Sequence, residues 1–208
     1  MRIVSLGLLA LLGLGVGVAQ AAPVAAPVVV EQNGLRISIS STRRAFSDDN
    51  TIELGTIDPT LLVVLQNTTG RPLNIWDQGC ELGNYSLTLE IAKINGRVLP
   101  EPLVVRRNGG TWFANGRFAE TVDEREAIVR SVSLFMPDDV IKNSTVPVRQ
   151  SLEPLNWNYF GFPFPNSSAP VRLTMRAVFS NTVPTESKEK PIWTGKIASP
   201  WKDYLVSW

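Results

Sequence analysis

Residues 85–99 read YSLTLEIAKINGRVL, and this stretch decides the fold. Its first part alternates between apolar and polar side chains, which is the two-residue period of a half-buried β-strand. Asn95-Gly96 then separates two apolar runs, and such a pair is the strongest short-range hairpin signal because both residues tolerate positive φ. The stretch therefore predicts a β-hairpin. The residues expected to face the core are Leu87, Leu89, Ile91 and Ile94.

The same period recurs along the chain. LRISIS (35–40), AIVRSVSLF (127–135) and VRLTMRAVFS (171–180) read as strands, and TLLVVLQN (60–67) is a continuous apolar run typical of a strand buried on both faces. PIWTGKIAS (191–199) predicts the return arm of a hairpin. Helix signals are nearly absent. Many short strands separated by turn residues predict an all-β, antiparallel sandwich.

A long aromatic insertion is expected at 136–170, where no strand pattern is convincing. Connections of this length tend to be functional or disordered, and the aromatic residues of NWNYFGFPFP (156–165) argue against disorder. Exposed rings on a proline-stiffened backbone would form a contact surface, whereas buried rings would pin the loop to the domain. Packing is the favoured interpretation, with one or two rings left at the edge. The candidate binding surface comprises Trp112, Trp157, Tyr159, Phe160, Phe162 and Phe164.

The N-terminal segment 1–21 has the features of a secretory signal peptide. Arg2 precedes a run of apolar and small residues, and Ala19-Gln20-Ala21 is a small-x-small cleavage signal. The Pro/Ala-rich segment 22–32 reads as a linker, and 33–208 reads as one domain. We therefore expect a secreted or periplasmic protein with no integral membrane span after signal cleavage.

The amino-acid composition excludes or disfavours several kinds of catalysis and binding. The chain has no histidine, so Ser-His-Asp and Cys-His catalysis are impossible within it and a conventional zinc site lacks its usual ligands. The 20 basic and 19 acidic residues are balanced and form no basic block, which disfavours a nucleic-acid partner. Cys80 is the only cysteine, so it has no internal disulfide partner. A small, semi-buried side chain is favoured over a reactive thiol or an intermolecular bridge.

Short motifs add little chemistry. SKEK (187–190) fits a serine-lysine pattern, but it lies in a charged segment between prolines and reads as a solvated hairpin tip. Asp48-Asp49-Asn50 and Asp138-Asp139 could help to bind calcium, yet turn and cap roles fit these residues better. No cofactor is expected. The N-x-[ST] sequons, which would accept glycans in a secreted eukaryotic protein, begin at Asn67, Asn84, Asn143 and Asn166.

Three stretches together carry a resemblance: TLLVVLQNTTGRPLNIWDQG, YSLTLEIAKINGRVL and ETVDEREAIVRSVSLF. This outline resembles immunoglobulin-like sandwich modules of bacterial envelope proteins, and it is similar to the BsuPI-type proteinase inhibitor domain. The W-T-G-K-I-A-S strand at 193–199 also resembles the end of uncharacterised exported bacterial proteins. The resemblance covers residues 33–135 and the C-terminal hairpin, and it implies an immunoglobulin-like β-sandwich. No inhibitory loop of the BsuPI type can be matched residue by residue.

The expected function is a non-enzymatic module that binds a protein or a glycan in the cell envelope or outside the cell. Recognition would use loops or a sheet edge on a rigid scaffold. One alternative is a proteinase inhibitor of BsuPI-like type, which would show an exposed extended loop. A further alternative is a histidine-free hydrolase, which would show two carboxylates converging in a cleft with raised pKa values.

Overall fold

A computed structural model of the chain describes residues 30–42, 50–53, 61–106, 118–135, 159–161, 169–182 and 191–207. Within these ranges the chain forms strands joined by turns and one short helix. The strands are β1 (Glu31–Gln32), β2 (Leu35–Ser41), β3 (Thr51–Glu53), β4 (Leu61–Asn67), β5 (Leu73–Trp76), β6 (Leu87–Ile94), β7 (Arg97–Arg106), β8 (Ala119–Val122), β9 (Ala127–Phe135), β10 (Tyr159–Gly161), β11 (Val171–Asn181), β12 (Gly195–Ala198) and β13 (Lys202–Ser207), and the helix is α1 (Glu81–Asn84).

The strands form two large sheets and one small sheet. The first sheet has the order β1-β2-β4-β9-β10, the second has the order β3-β13-β11-β6-β7 with β12 also paired to β11, and β5 pairs with β8. Alternate side chains of the large sheets meet in one core cluster, to which the small sheet adds Ile75 and Val122. The all-β prediction is confirmed, and the hydrophobic effect of this shared core holds the sheets together.

The pairing is mixed where the sequence predicts antiparallel sheets throughout. β10 pairs with β9 in parallel, and β3 pairs with β13 in parallel, whereas the other strand pairs are antiparallel. Both parallel strands are three residues long, which is too short to display a period. The expectation that 136–170 holds no strand is therefore wrong at 159–161, where β10 adds an edge to the first sheet.

The hairpin signal of the opening stretch is confirmed. Asn95 and Gly96 join β6 to β7 with φ values of 49° and 79°. A register shift against β11 places Ile91 opposite Met175 and Ile94 opposite Leu173. The extra residue in β6 forms a β-bulge. It explains why the inward-facing Ile91 and Ile94 are three residues apart rather than two.

A second hairpin of the same kind joins β1 to β2 and was missed by the sequence reading. Asn33 and Gly34 have φ values of 50° and 78°. A Cβ atom on Gly34 would lie 2.1 Å from the Thr69 side chain. Glycine is therefore required here both for its left-handed backbone and for the close approach of the turn that follows β4.

One further strand expectation differs from the structure, and another is confirmed. In β4, alternate residues are fully buried while Leu62 and Val64 are only half-buried and Gln66 is exposed, so one face rather than two lies in the core. The C-terminal hairpin is confirmed, since β12 runs antiparallel to β11. In its WTGK segment, the buried Trp193 donates through Nε1 to the Gln32 carbonyl at 3.0 Å and lies 5.6 Å from the Phe179 ring. This indole links β1 to the core.

Asn67 closes the end of β4 with a fully buried amide side chain. Its Nδ2 donates to the carbonyls of Arg71, Val122 and Asp123 at 2.8–3.0 Å, and its Oδ1 accepts from the Thr69 backbone and hydroxyl at 2.9 and 2.7 Å. The N-x-T-x-x-P turn is therefore a structural device that joins β4 to the β8–β9 connection. Asn67 is inaccessible as a glycan acceptor, and so is the buried Asn84.

Replacing Asn67 with alanine should lower the free energy of unfolding by about 2–4 kcal/mol, because buried carbonyls would lose their donor. Urea unfolding of purified protein measures this change. Gln66→Ala on the same strand is the matched control, because Gln66 is exposed and its loss should change stability by no more than about 0.5 kcal/mol. Equal effects of the two substitutions would contradict a structural role for the Asn67 amide.

Tyr204 is the largest of the fully buried side chains, and its hydroxyl has no hydrogen-bond partner in the described part of the chain. Burial raises the pKa of this phenol above its usual value. Tyr204→Phe should therefore leave stability at neutral pH unchanged or raise it by about 1 kcal/mol, since no bond is lost and the hydroxyl no longer needs desolvation. Tyr85→Phe, at a side chain that is 51 % exposed, is the control.

The raised pKa also gives the sign of a pH effect. Tyr204 ionises in the unfolded chain near pH ~10 but stays protonated in the folded chain, so its contribution to stability is complete below pH ~10 and is lost as the pH rises further. Urea unfolding from about pH 8 to about pH 11 should show a smaller decline for Tyr204→Phe than for wild type. Parallel declines would show that the phenol titrates normally.

Candidate functional site on the outer face of the second sheet

The structure describes only two of the six residues of the predicted aromatic surface. Trp112, Trp157, Phe162 and Phe164 lie outside the described residues. Tyr159 and Phe160 supply the backbone of β10, where they pair with Ser133 and Leu134 of β9. The aromatic surface therefore stays a prediction. The same holds for the signal peptide and for the motifs at 48–49, 138–139 and 187–190.

The described residues instead assemble polar side chains on the side of the second sheet that faces away from the core. Leu173 and Met175 of β11 point into the core, so Arg172, Thr174 and Arg176 point outward. Cross-strand pairing sets Thr174 opposite Asp203 and Arg176 opposite Glu90. We call this surface the outer face; its members are Glu90, Lys93, Arg172, Thr174, Arg176, Trp201, Asp203 and Leu205.

At one end of the outer face, an ion pair supports an indole ring. Arg176 binds one oxygen of Glu90 through Nη2 at 2.6 Å and Nε at 2.7 Å. Their side chains are only 18 % and 12 % exposed, so this pair is weakly screened by solvent. The Arg176 guanidinium carbon lies 4.3 Å from the centroid of the half-buried Trp201 ring. Cation–π attraction and the ion pair together fix the ring.

At the other end, a small open cavity of about 140 Å³ lies between β3, β13 and β11. It is lined by Asn50, Thr51, Arg172, Asp203, Tyr204 and Leu205. The Thr174 hydroxyl donates to Asp203 Oδ1 at 2.5 Å, which orients that carboxylate. Among the described residues, none pairs with the exposed guanidinium of Arg172. The cavity thus offers a cation, a held anion, an amide and a hydroxyl beside one aliphatic side chain.

Cys80 lies elsewhere, in the turn before α1. It is free and fully buried, whereas the sequence predicts a semi-buried side chain. Its Sγ accepts from the Gly83 N–H at 3.4 Å and donates to the Phe118 carbonyl at 3.8 Å. The thiol therefore acts as a packed capping group, and burial separates it from other chains.

Two further searches cover the described ranges alone. No group of three or more Cys, Asp or Glu side chains is arranged there to hold a metal ion. No helix in those ranges is long and apolar enough to cross a membrane.

The fold and the outer face define the class as an all-β protein in which two sheets share one core. No family model, curated protein or solved structure matches the chain. The site assignment therefore rests on the geometry of the outer face itself.

Glu90→Gln should destabilise the protein by about 1–3 kcal/mol, because a mostly buried guanidinium loses its counter-charge. It should also release Trp201, which a shift of tryptophan emission would report. Glu31→Gln is the matched control, since the Glu31–Arg36 pair has side chains that are 38 % and 52 % exposed and solvent screens it. Equal losses of unfolding free energy in Glu31→Gln and Glu90→Gln would show that burial does not strengthen the Glu90–Arg176 pair.

Proposed function

We propose that the protein is an exported, non-enzymatic β-sandwich module of immunoglobulin-like type that binds a glycan or a protein through its outer face. The observation that carries this proposal is the Trp201–Arg176–Glu90 stack. A ring that is already fixed loses little conformational entropy when a ligand covers it. The underlying sheet supplies a rigid scaffold, because β11 is hydrogen-bonded along both edges.

The chemistry of the outer face favours a glycan over a protein. The centre of a protein–protein interface is typically depleted of charged residues and enriched in apolar and aromatic ones. The outer face instead interleaves charged and hydroxyl side chains around the Trp201 indole, with Leu205 and the exposed Val104, which pairs with Glu90, as separate aliphatic contacts. A sugar presents hydroxyl groups at its rim and an apolar ring face, so it can satisfy the polar side chains while its ring covers Trp201.

The outer face offers less support to hydrolysis. A glycosidase needs one protonated and one ionised carboxyl group on opposite sides of the scissile bond. Glu90 and Asp203 are the carboxylates of the outer face, but Arg176 neutralises the first and Thr174 holds the second. Both carboxylates are therefore already engaged by side chains of the outer face. For inhibition of the BsuPI-like type, no exposed extended loop among the described residues stands out.

Trp201→Ala should weaken glycan binding at least about tenfold, because the loss of one ring contact worth ~1.4 kcal/mol has that effect. A glycan array of neutral and acidic saccharides, probed with purified mature protein, measures this. Phe118→Ala is the matched control, since this ring is 50 % exposed but precedes β8 in the small sheet. A glycan signal that survives Trp201→Ala would move recognition away from the outer face, and an array without any signal would count against glycan binding.

A further inference from the structure

Arg172 differs from the arginine next to it on the same face of β11. Arg176 has its counter-ion in Glu90, and elsewhere Arg36 pairs with Glu31 and Arg130 with Glu120. Arg172 lines the cavity with no carboxylate within ion-pair distance among the described residues. A guanidinium presents a planar fork of donors that matches a carboxylate. Other exposed arginines, such as Arg97, also lack an ion pair with a described residue, but Arg172 lines the cavity, so a carboxylate entering it would meet this guanidinium.

The backbone at Arg172 is held by hydrogen bonds, so the side chain starts from a defined point on the strand. The Arg172 N–H donates to Asn95 Oδ1 at 2.9 Å, and the Arg172 carbonyl accepts from the Asn95 N–H at 2.7 Å. On the other side Arg172 pairs with Leu205 of β13. Residues on both neighbouring elements therefore hold this point of the strand.

Asp203 narrows the class of ligand. It lies diagonally across the strand pair from Arg172, a separation of roughly 7–8 Å between the strands' Cα positions. A bare anion would be repelled by this carboxylate, whereas a carboxylate flanked by hydrogen-bond donors would bind Arg172 and donate to Asp203. Sugar acids, with adjacent hydroxyl groups, and amino acids, with an ammonium group, share this chemistry.

We infer that the cavity is a carboxylate-binding subsite for an acidic saccharide, an inference that rests on the proposed glycan-binding function. A volume of about 140 Å³ accommodates the carboxylate end of one sugar but not a whole oligosaccharide. Arg172 and Arg176 are about 13 Å apart along β11 at the usual strand rise. The remainder of the saccharide therefore extends over the outer face toward Trp201, and both ends of this surface bind one ligand.

The test compares two oligosaccharides of equal length, one ending in glucuronic acid and the other in glucose, together with free alanine. Isothermal titration of the mature protein measures each affinity for wild type, Arg172→Gln and Arg97→Gln. Arg97 is the matched control because it is exposed at the start of β7 and does not line the cavity. Wild type should prefer the acidic oligosaccharide at least about tenfold, and added salt should weaken that preference.

Arg172→Gln should abolish the preference while leaving the affinity for the neutral oligosaccharide unchanged, and Arg97→Gln should retain it. Equal binding of both oligosaccharides by wild type, or a preference that survives Arg172→Gln, would overturn the subsite yet leave the proposed function standing. If alanine bound and neither oligosaccharide did, the cavity would be assigned to an amino acid, and the inference of an acidic saccharide would be overturned. Binding of none of the three probes would overturn the inference together with the glycan form of the proposed function. Circular dichroism confirms that each variant is folded.

Discussion

The register of β11 is the constraint on which the rest of the structure depends. This strand pairs with β6 along one edge and with β12 and β13 along the other, and its alternate residues divide between the core and the outer face. A slip of one residue would exchange Leu173 and Met175 for Arg172 and Arg176. The hydrophobic core and the candidate site are therefore two consequences of one pairing, and the bulge in β6 preserves that pairing across the longest contact of the sheet.

Polar side chains fix the ends of the strands where apolar packing alone would leave the geometry loose. Asn67 satisfies carbonyls from two connections, and Arg130, whose side chain is only 9 % exposed, reaches Glu120 of the small sheet. A buried ion pair contributes little net stability relative to an apolar pair, but breaking it is costly. These contacts therefore select one arrangement of the small sheet against the large ones rather than adding to the core.

The sequence predicts those features that depend on local chemistry. Alternation located β2, β6, β9 and β11, and the Asn95-Gly96 pair located its hairpin, because side-chain period and positive φ are properties of a few adjacent residues. The parallel edges formed by β3 and β10 were missed, since three-residue strands take their conformation from the neighbour that they join. The outer face was missed for a related reason: Trp201 and Glu90 are distant in sequence, and only the register brings them to Arg176.

Stability alone does not account for the charges of the outer face. Arg176 is explained within the fold, because Glu90 neutralises it and Trp201 covers it. Arg172 lies on the same strand, points to the same side of the sheet and has a hydrogen-bonded backbone. It differs because it lines a cavity and has no counter-ion among the described residues. A threonine or a serine would serve the sheet equally well at an exposed position. Arg172 differs from an exposed arginine such as Arg97 because it lines a cavity beside the carboxylate of Asp203, which Thr174 holds, and this placement separates the candidate site from an ordinary solvated surface.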